Sequence, residues 1–280
     1  MNAILNPALI LFLGGILCGL LTKKIFPDFV SKYLGYYLLL SLGLKGGISL
    51  DTTGFIDEVV NILSLGIFLA ILIPSLAYIY LKNILSIEDA SALAGTYGSV
   101  SAVTFVTAIS YLSNSSQQFD DYMSAVLVVM EFPAIFMALY LFSRKKNGSR
   151  NNLQTIKTAF FEIPNIVLLG SLFISYMFNF SEYSQINLIT EGVFDYILLL
   201  FLFVMGTRVA KRIGELKGRS KNLILFALIT PLFSSSLALI VSVYFLLTPG
   251  NATLLMVLAA SASYIACLLY TSPSPRDFTE

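Results

Sequence analysis

ASALAGTYGSVSAVTFVT, residues 90–107, lies in a strongly apolar chain yet consists mostly of Ala, Gly, Ser and Thr. A lipid-facing helix would carry Leu, Ile, Phe and Val instead. Small residues let backbones approach closely, and hydroxyls offer oxygen ligands in a dry place. The same texture returns as LAASASYIA, residues 258–266. Glycine at positions 95 and 98 costs a helix about 1 kcal/mol each, so the helix is expected to break or unwind there. A break exposes unpaired N–H groups and the positive end of a half-helix dipole, which suits an anion. Unwound carbonyls and hydroxyls suit sodium. One such stretch alone is as well explained by a GxxxG-like packing face whose hydroxyls bond back to their own helix. Two copies at matched positions favour a site formed where they meet.

The composition sets the environment. The chain has 280 residues, 57% hydrophobic and only 12% charged, with a mean hydropathy of +0.83. A soluble domain would carry about twice that charged fraction. The apolar runs are continuous, of spanning length and without period-two alternation, so the fold class is an all-α integral membrane protein. A net charge of +1 gives no hint of nucleic acid. Histidine is absent, which argues against a zinc hydrolase or a His-dependent catalytic dyad. Cys18 and Cys267 form no disulfide or zinc pattern. The N-terminus lacks the basic region of a signal peptide, so the first apolar run reads as a retained span. No phosphate-binding loop or dinucleotide fingerprint is present, so active transport would run on an ion gradient.

Spans are predicted at 5–22, 33–50, 59–81, 89–112, 122–142, 163–180, 194–209 and 223–247, with a last one from about 252. The second is expected to be interrupted at Lys45-Gly46-Gly47, and the third to kink at Pro74. Basic residues cluster after the first, fifth and seventh spans, and acidic residues after the second, fourth and sixth. By the positive-inside rule the N-terminus lies outside. Three pairs of segments match at one offset of roughly 160 residues, the weak symmetry of duplicated transporters. SLGLK at 41–45 matches VMGTR at 204–208, and GSVSA at 98–102 matches ASASY at 260–264. Asn6-Pro7 with Gly14-Gly15 loosely matches Ile163-Pro164 with Gly170. An odd number of spans per repeat inverts the second copy. The expected organisation is a first repeat at 1–143, a basic cytoplasmic linker at 144–162, and a second, inverted and incomplete repeat at 163–266.

Glu131, in VVMEFPAIF (128–136), sits midway along an apolar span. An acidic residue there costs roughly 2.5–3.5 kcal/mol on insertion scales and is a functional candidate. It would balance a cation, carry a proton or hydrogen-bond a substrate hydroxyl; the bland alternatives are capping a break near Pro133 or facing a watery vestibule. Lys45 and Arg208 are matched cations near span ends, explained well enough by snorkelling. Asn165 and Asn179 read as packing amides.

At this point the chain resembles the sodium-dependent bicarbonate transporter family of cyanobacteria and other bacteria. The resemblance covers most of the sequence up to Ala266. Its carriers are LGLKGGISL (42–50), GSVSAVTF (98–105), MEFPAIF (130–136) and LAASASYIA (258–266). It implies sodium-coupled bicarbonate uptake by a ten-helix, five-plus-five inverted repeat, assembled as a homotrimer in the plasma membrane. It also implies a PII-like regulatory protein at the cytoplasmic face. Carried over residue by residue, substrate would meet Gly98, Ser99, Ser101, Glu131, Ala262 and Ser263. Sodium, co-transported, would meet Ser99, Ser101, Thr104, Ser261 and Ser263, with no organic cofactor. Bicarbonate is a small planar monoanion that backbone N–H groups and serine hydroxyls can bind without a buried arginine.

The segment CLLYTSPSPRDFTE, 267–280, departs from the family pattern and reads as a turn-rich, non-native tail. With about nine spans, the second repeat lacks a counterpart of Glu131. Three other functions compete with this one. A carrier of another small anion would use the same scaffold. A serine hydrolase at Ser99 or Ser261 lacks a histidine and has no lysine close to either serine in sequence. A channel or sensor would not accumulate its ligand.

Overall fold

A computed structural model of the chain describes residues 7–22, 26–143, 163–178, 188–213 and 221–263. The linker at 144–162 and the tail at 267–280 lie outside the described residues, as does Asn179. The elements are α1 (Pro7–Thr22), α2 (Asp28–Thr53), α3 (Asp57–Leu81), α4 (Ile87–Gly98), α5 (Ala102–Asn114), α6 (Met123–Ser143), α7 (Ile163–Met177), a π-helical turn (Leu188–Gly192), α8 (Phe194–Arg212), α9 (Lys221–Tyr244) and α10 (Pro249–Ala260). No strand occurs among the described residues.

Among the described residues, three segments are long and apolar enough to cross a membrane: Asp57–Leu81, Asp89–Ser113 and Lys221–Tyr244. Pro7–Thr22, Ile163–Met177 and Pro249–Ala260 are apolar but shorter. Large apolar side chains remain exposed along α9, among them Leu228, Leu232 and Ile240, the face a membrane helix shows to lipid. Without water to satisfy it, the backbone must pair internally, and hydroxyls do the same. Ser64, Ser75, Thr107 and Thr230 each donate to the carbonyl four residues earlier.

The helices pack in two groups. In one, α1 lies along α8 and α2 along α7, with α8 also touching α2. In the other, α3, α4 and α6 pack together and α9 packs on α10, which reaches α5 and, more lightly, α3 and α6. The seam between the groups is chiefly α2 against α6, with smaller contacts of α6 with α7 and of α5 with α2. Buried Leu42, Ile62, Leu69, Met123, Leu127 and Leu258 belong to one apolar core that bridges it.

The first group is built on glycine. A Cβ on Gly15 of α1 would collide with the Phe203 carbonyl of α8, and one on Gly206 of α8 with the Phe12 carbonyl of α1. Gly43 and Gly47 of α2 meet Ser171 and Ser175 of α7 in the same way. Gly43 and Gly206 are the matched glycines of the two repeat motifs. Gly43 lets α2 press on α7, and Gly206 lets α8 press on α1. The interruption expected at Lys45-Gly46-Gly47 is therefore corrected. α2 runs unbroken from Asp28 to Thr53, because Gly46 and Gly47 serve close backbone approach, Gly46 against Ala125 of α6. Pro74 lies inside α3, which continues through it, and its ring fills the space beside Gly98. Arg208 pairs with Asp28 at 2.7 Å instead of simply reaching for the interface.

Adjacent glycines give a clean comparison. Gly15→Val should overpack the α1–α8 contact and cost roughly 1–3 kcal/mol, read as a lower melting temperature in detergent. Gly14, whose Cβ would meet nothing within 4 Å, should accept alanine and gain up to about 1 kcal/mol of helix propensity.

Candidate functional site

The small-residue stretch breaks where its composition predicts. α4 ends at Gly98, and Ser99 and Ser101 are extended, with φ/ψ of −84°/151° and −107°/113°. Helix resumes at Ala102, capped by the Ser101 hydroxyl, which accepts from the Thr104 N–H at 3.4 Å. Gly98 is needed beside Pro74, where a side chain would collide with the ring. Serine at both flanks suits the break because its side chain competes for backbone hydrogen bonds.

The second copy behaves alike. α10 starts at Pro249 under a Thr248 cap and ends at Ala260. Ser261 is extended, with φ −80° and ψ 162°. The second half-helix expected beyond Ser263 lies outside the described residues.

The break at 99–101 and the end of α10 brace each other. The Ser101 N–H donates to Ser261 Oγ at 2.9 Å, and the Ser261 hydroxyl donates to the Leu258 carbonyl at 2.8 Å. The Ser263 N–H donates to the Thr96 carbonyl at 3.0 Å, capping the last turn of α4. Glu131 of α6 sits between them, only 6% exposed. Its Oε2 accepts from the Val100 N–H at 3.2 Å, and its Oε1 accepts from the Ser263 hydroxyl at 3.2 Å. Glu131 does cap a helix break, but the break belongs to another helix: α6 itself continues through Pro133. The Ser99 hydroxyl, fully buried, lies against the same carboxylate without a well-formed hydrogen bond of its own.

A small chamber of about 50 Å³ adjoins this junction, lined by Ser101, Glu131 and Ser263 on one side and by Leu38 and Phe201 on the other. That is room for a small ion or for water. The chamber lies on the seam, walled by both helix groups. Its chemistry is mixed by construction. The α5 N-terminus supplies positive dipole and N–H groups, whereas Glu131 and the carbonyl ends of α4 and α10 supply negative charge. Groups of opposite polarity thus meet at one junction.

Of the predicted site residues, Ser101, Glu131, Ser261 and Ser263 are directly linked, and Gly98 and Ser99 form the adjoining corner. Thr104 is exposed on the first turn of α5, its hydroxyl donating to the Ser101 carbonyl at 2.9 Å. Ala262 is exposed between the two bracing serines. Sequence reasoning missed the Thr96 carbonyl and a brace at the far end of α5. There buried Asn251 donates to Asp120 Oδ2 at 2.6 Å and to the Tyr122 hydroxyl at 3.0 Å. Tyr122 in turn donates to Glu58 at 2.9 Å. The signal was the TPGN start of α10, a capped helix N-terminus inside an apolar chain.

A bundle of apolar helices with a broken helix at its centre is consistent with a membrane transporter. The chain belongs to the Na+-dependent bicarbonate transporter superfamily, whose family model matches residues 7–268. No curated protein matches the chain.

Ser261→Ala would leave the Ser101 N–H without its acceptor, at a cost of about 1–3 kcal/mol. The expected result is a lower melting temperature in detergent, whereas Ser261→Thr, which keeps the hydroxyl, should lie closer to wild type.

Proposed function

We propose that the protein carries bicarbonate inward with sodium, as a symporter working by alternating access in the plasma membrane, with its N-terminus outside. The observation that supports this most is the Glu131 carboxylate held between the break at 99–101 and the serines after α10, beside a chamber on the seam of two helix groups. In this reading sodium is held by Glu131 together with hydroxyls and carbonyls of the breaks, among them Ser99. Bicarbonate binds at the N-terminal turn of α5, beside the Ser101 and Ser263 hydroxyls, and the bound sodium offsets its charge. Sodium offsets the buried Glu131 charge and so lowers the cost of bringing the anion in beside it, which makes sodium binding favour bicarbonate binding. Sliding of one helix group on the other would carry the chamber between the two sides of the membrane. The family resemblance further suggests a homotrimer, and a PII-like regulator at the cytoplasmic linker.

Uptake of labelled bicarbonate into proteoliposomes, with and without an inward sodium gradient, tests the reading. Accumulation should require the gradient. Sodium-independent uptake, or preference for another anion, would overturn it. Ser99→Ala and Ser263→Ala should each weaken uptake about tenfold, the scale of one lost charge-assisted hydrogen bond, with nearly normal expression. Wild-type uptake by both would refute the convergent site.

A further inference from the structure

The site has an approach, and the approach contains a cation. A cleft of about 780 Å³ opens between α2, α5 and α8, on the side that the charge pattern makes exterior. Its lining includes Lys45, Asp120, Asp121 and Asp195. Lys45 stands about two turns before the end of α2, its ammonium 5.5 Å from the centre of the Phe194 ring. A lysine within a membrane helix is rare, and it normally pairs with a carboxylate or faces water. The only ion pair between described residues is that of Arg208 with Asp28, so Lys45 has no carboxylate partner among them. Asp120 is engaged by Asn251 and Tyr122. Asp121 and Asp195 are exposed.

One turn deeper, Leu42 also lines the cleft, and a further turn reaches Leu38 on the wall of the chamber holding Glu131. An apolar step therefore separates the ammonium from the inner site. Acidic side chains in the approach draw sodium and repel an anion. Lys45 is the only cation among the described residues that line it, and it supplies the opposite pull.

We propose that Lys45 is an anion-recruiting residue, holding bicarbonate in the outer cleft before it passes Leu42 to the inner site. This rests on the sodium-coupled bicarbonate reading. It assigns Lys45 to capture of the anion, and it leaves sodium affinity to the inner site.

The test is uptake by the full chain in proteoliposomes, with the anion and sodium dependences measured separately. Lys45→Met should raise the KM for bicarbonate about tenfold, the scale of local concentration by a favourable potential. Maximal rate and sodium KM should stay within about twofold, and Lys45→Arg should retain the wild-type KM. Lys45→Cys, in a Cys18→Ser, Cys267→Ser background, supplies a second measurement. Disulfide formation with an ethylammonium methanethiosulfonate should restore the low KM, whereas the ethylsulfonate reagent should raise it further. A wild-type KM in Lys45→Met, or equal effects of the two reagents, overturns the assignment. If Lys45→Met is inactive, the reagent pair on Lys45→Cys decides in the same way. Failure of the wild-type chain to accumulate bicarbonate with sodium would instead overturn the function on which the assignment rests.

Discussion

Backbone N–H groups removed from water must find an acceptor, and a helix broken inside an apolar bundle creates several that have none in their own helix. The break at residues 99–101 is tolerable because its amides are taken up elsewhere: Val100 by the Glu131 carboxylate and Ser101 by the Ser261 hydroxyl. The Thr96 carbonyl is satisfied in turn by the Ser263 amide. The whole centre of the bundle depends on this exchange. Glu131 is buried because it is an acceptor there, and α10 must stop where it does so that its serines can reach.

The exchange also depends on close packing around it. The α1–α8 and α2–α7 contacts use glycine to bring backbones together, and α2 then presents Leu38 and Leu39 to the chamber. On the other side Pro74 fills the space beside Gly98. A residue that weakens one helix thus stabilises an interface, and the cost of glycine in a helix is offset by contact that no larger residue permits.

Membrane class, the order of apolar helices and the break at 99–101 were legible from composition and from small-residue clusters. So was the pairing of the two serine motifs, whose cross-bond spans 160 residues. The same kind of evidence misled at Lys45-Gly46-Gly47, because glycine marks both a break and a tight contact, and only the neighbour distinguishes them. At Gly98 both readings hold at once. Acceptors such as the Thr96 carbonyl carry no residue-type signal, so no inspection of side chains could find them. Lys45 reads as a cation near a span end that snorkels to the interface, because its surroundings come from α8 and the loop before α6, which lie far away in sequence.

The mutual bracing sets an order of events in synthesis. Ser261 and Ser263 leave the ribosome some 160 residues after Ser101, an interval on the order of ten seconds. Through that time the first break stands in the nascent bundle with its Ser101 amide and Thr96 carbonyl unclaimed. Closure of the site therefore waits on synthesis of the second motif. An early release of the chain would leave an open helix end in the membrane, the kind of exposed polar backbone by which an incomplete product can be told from a finished one.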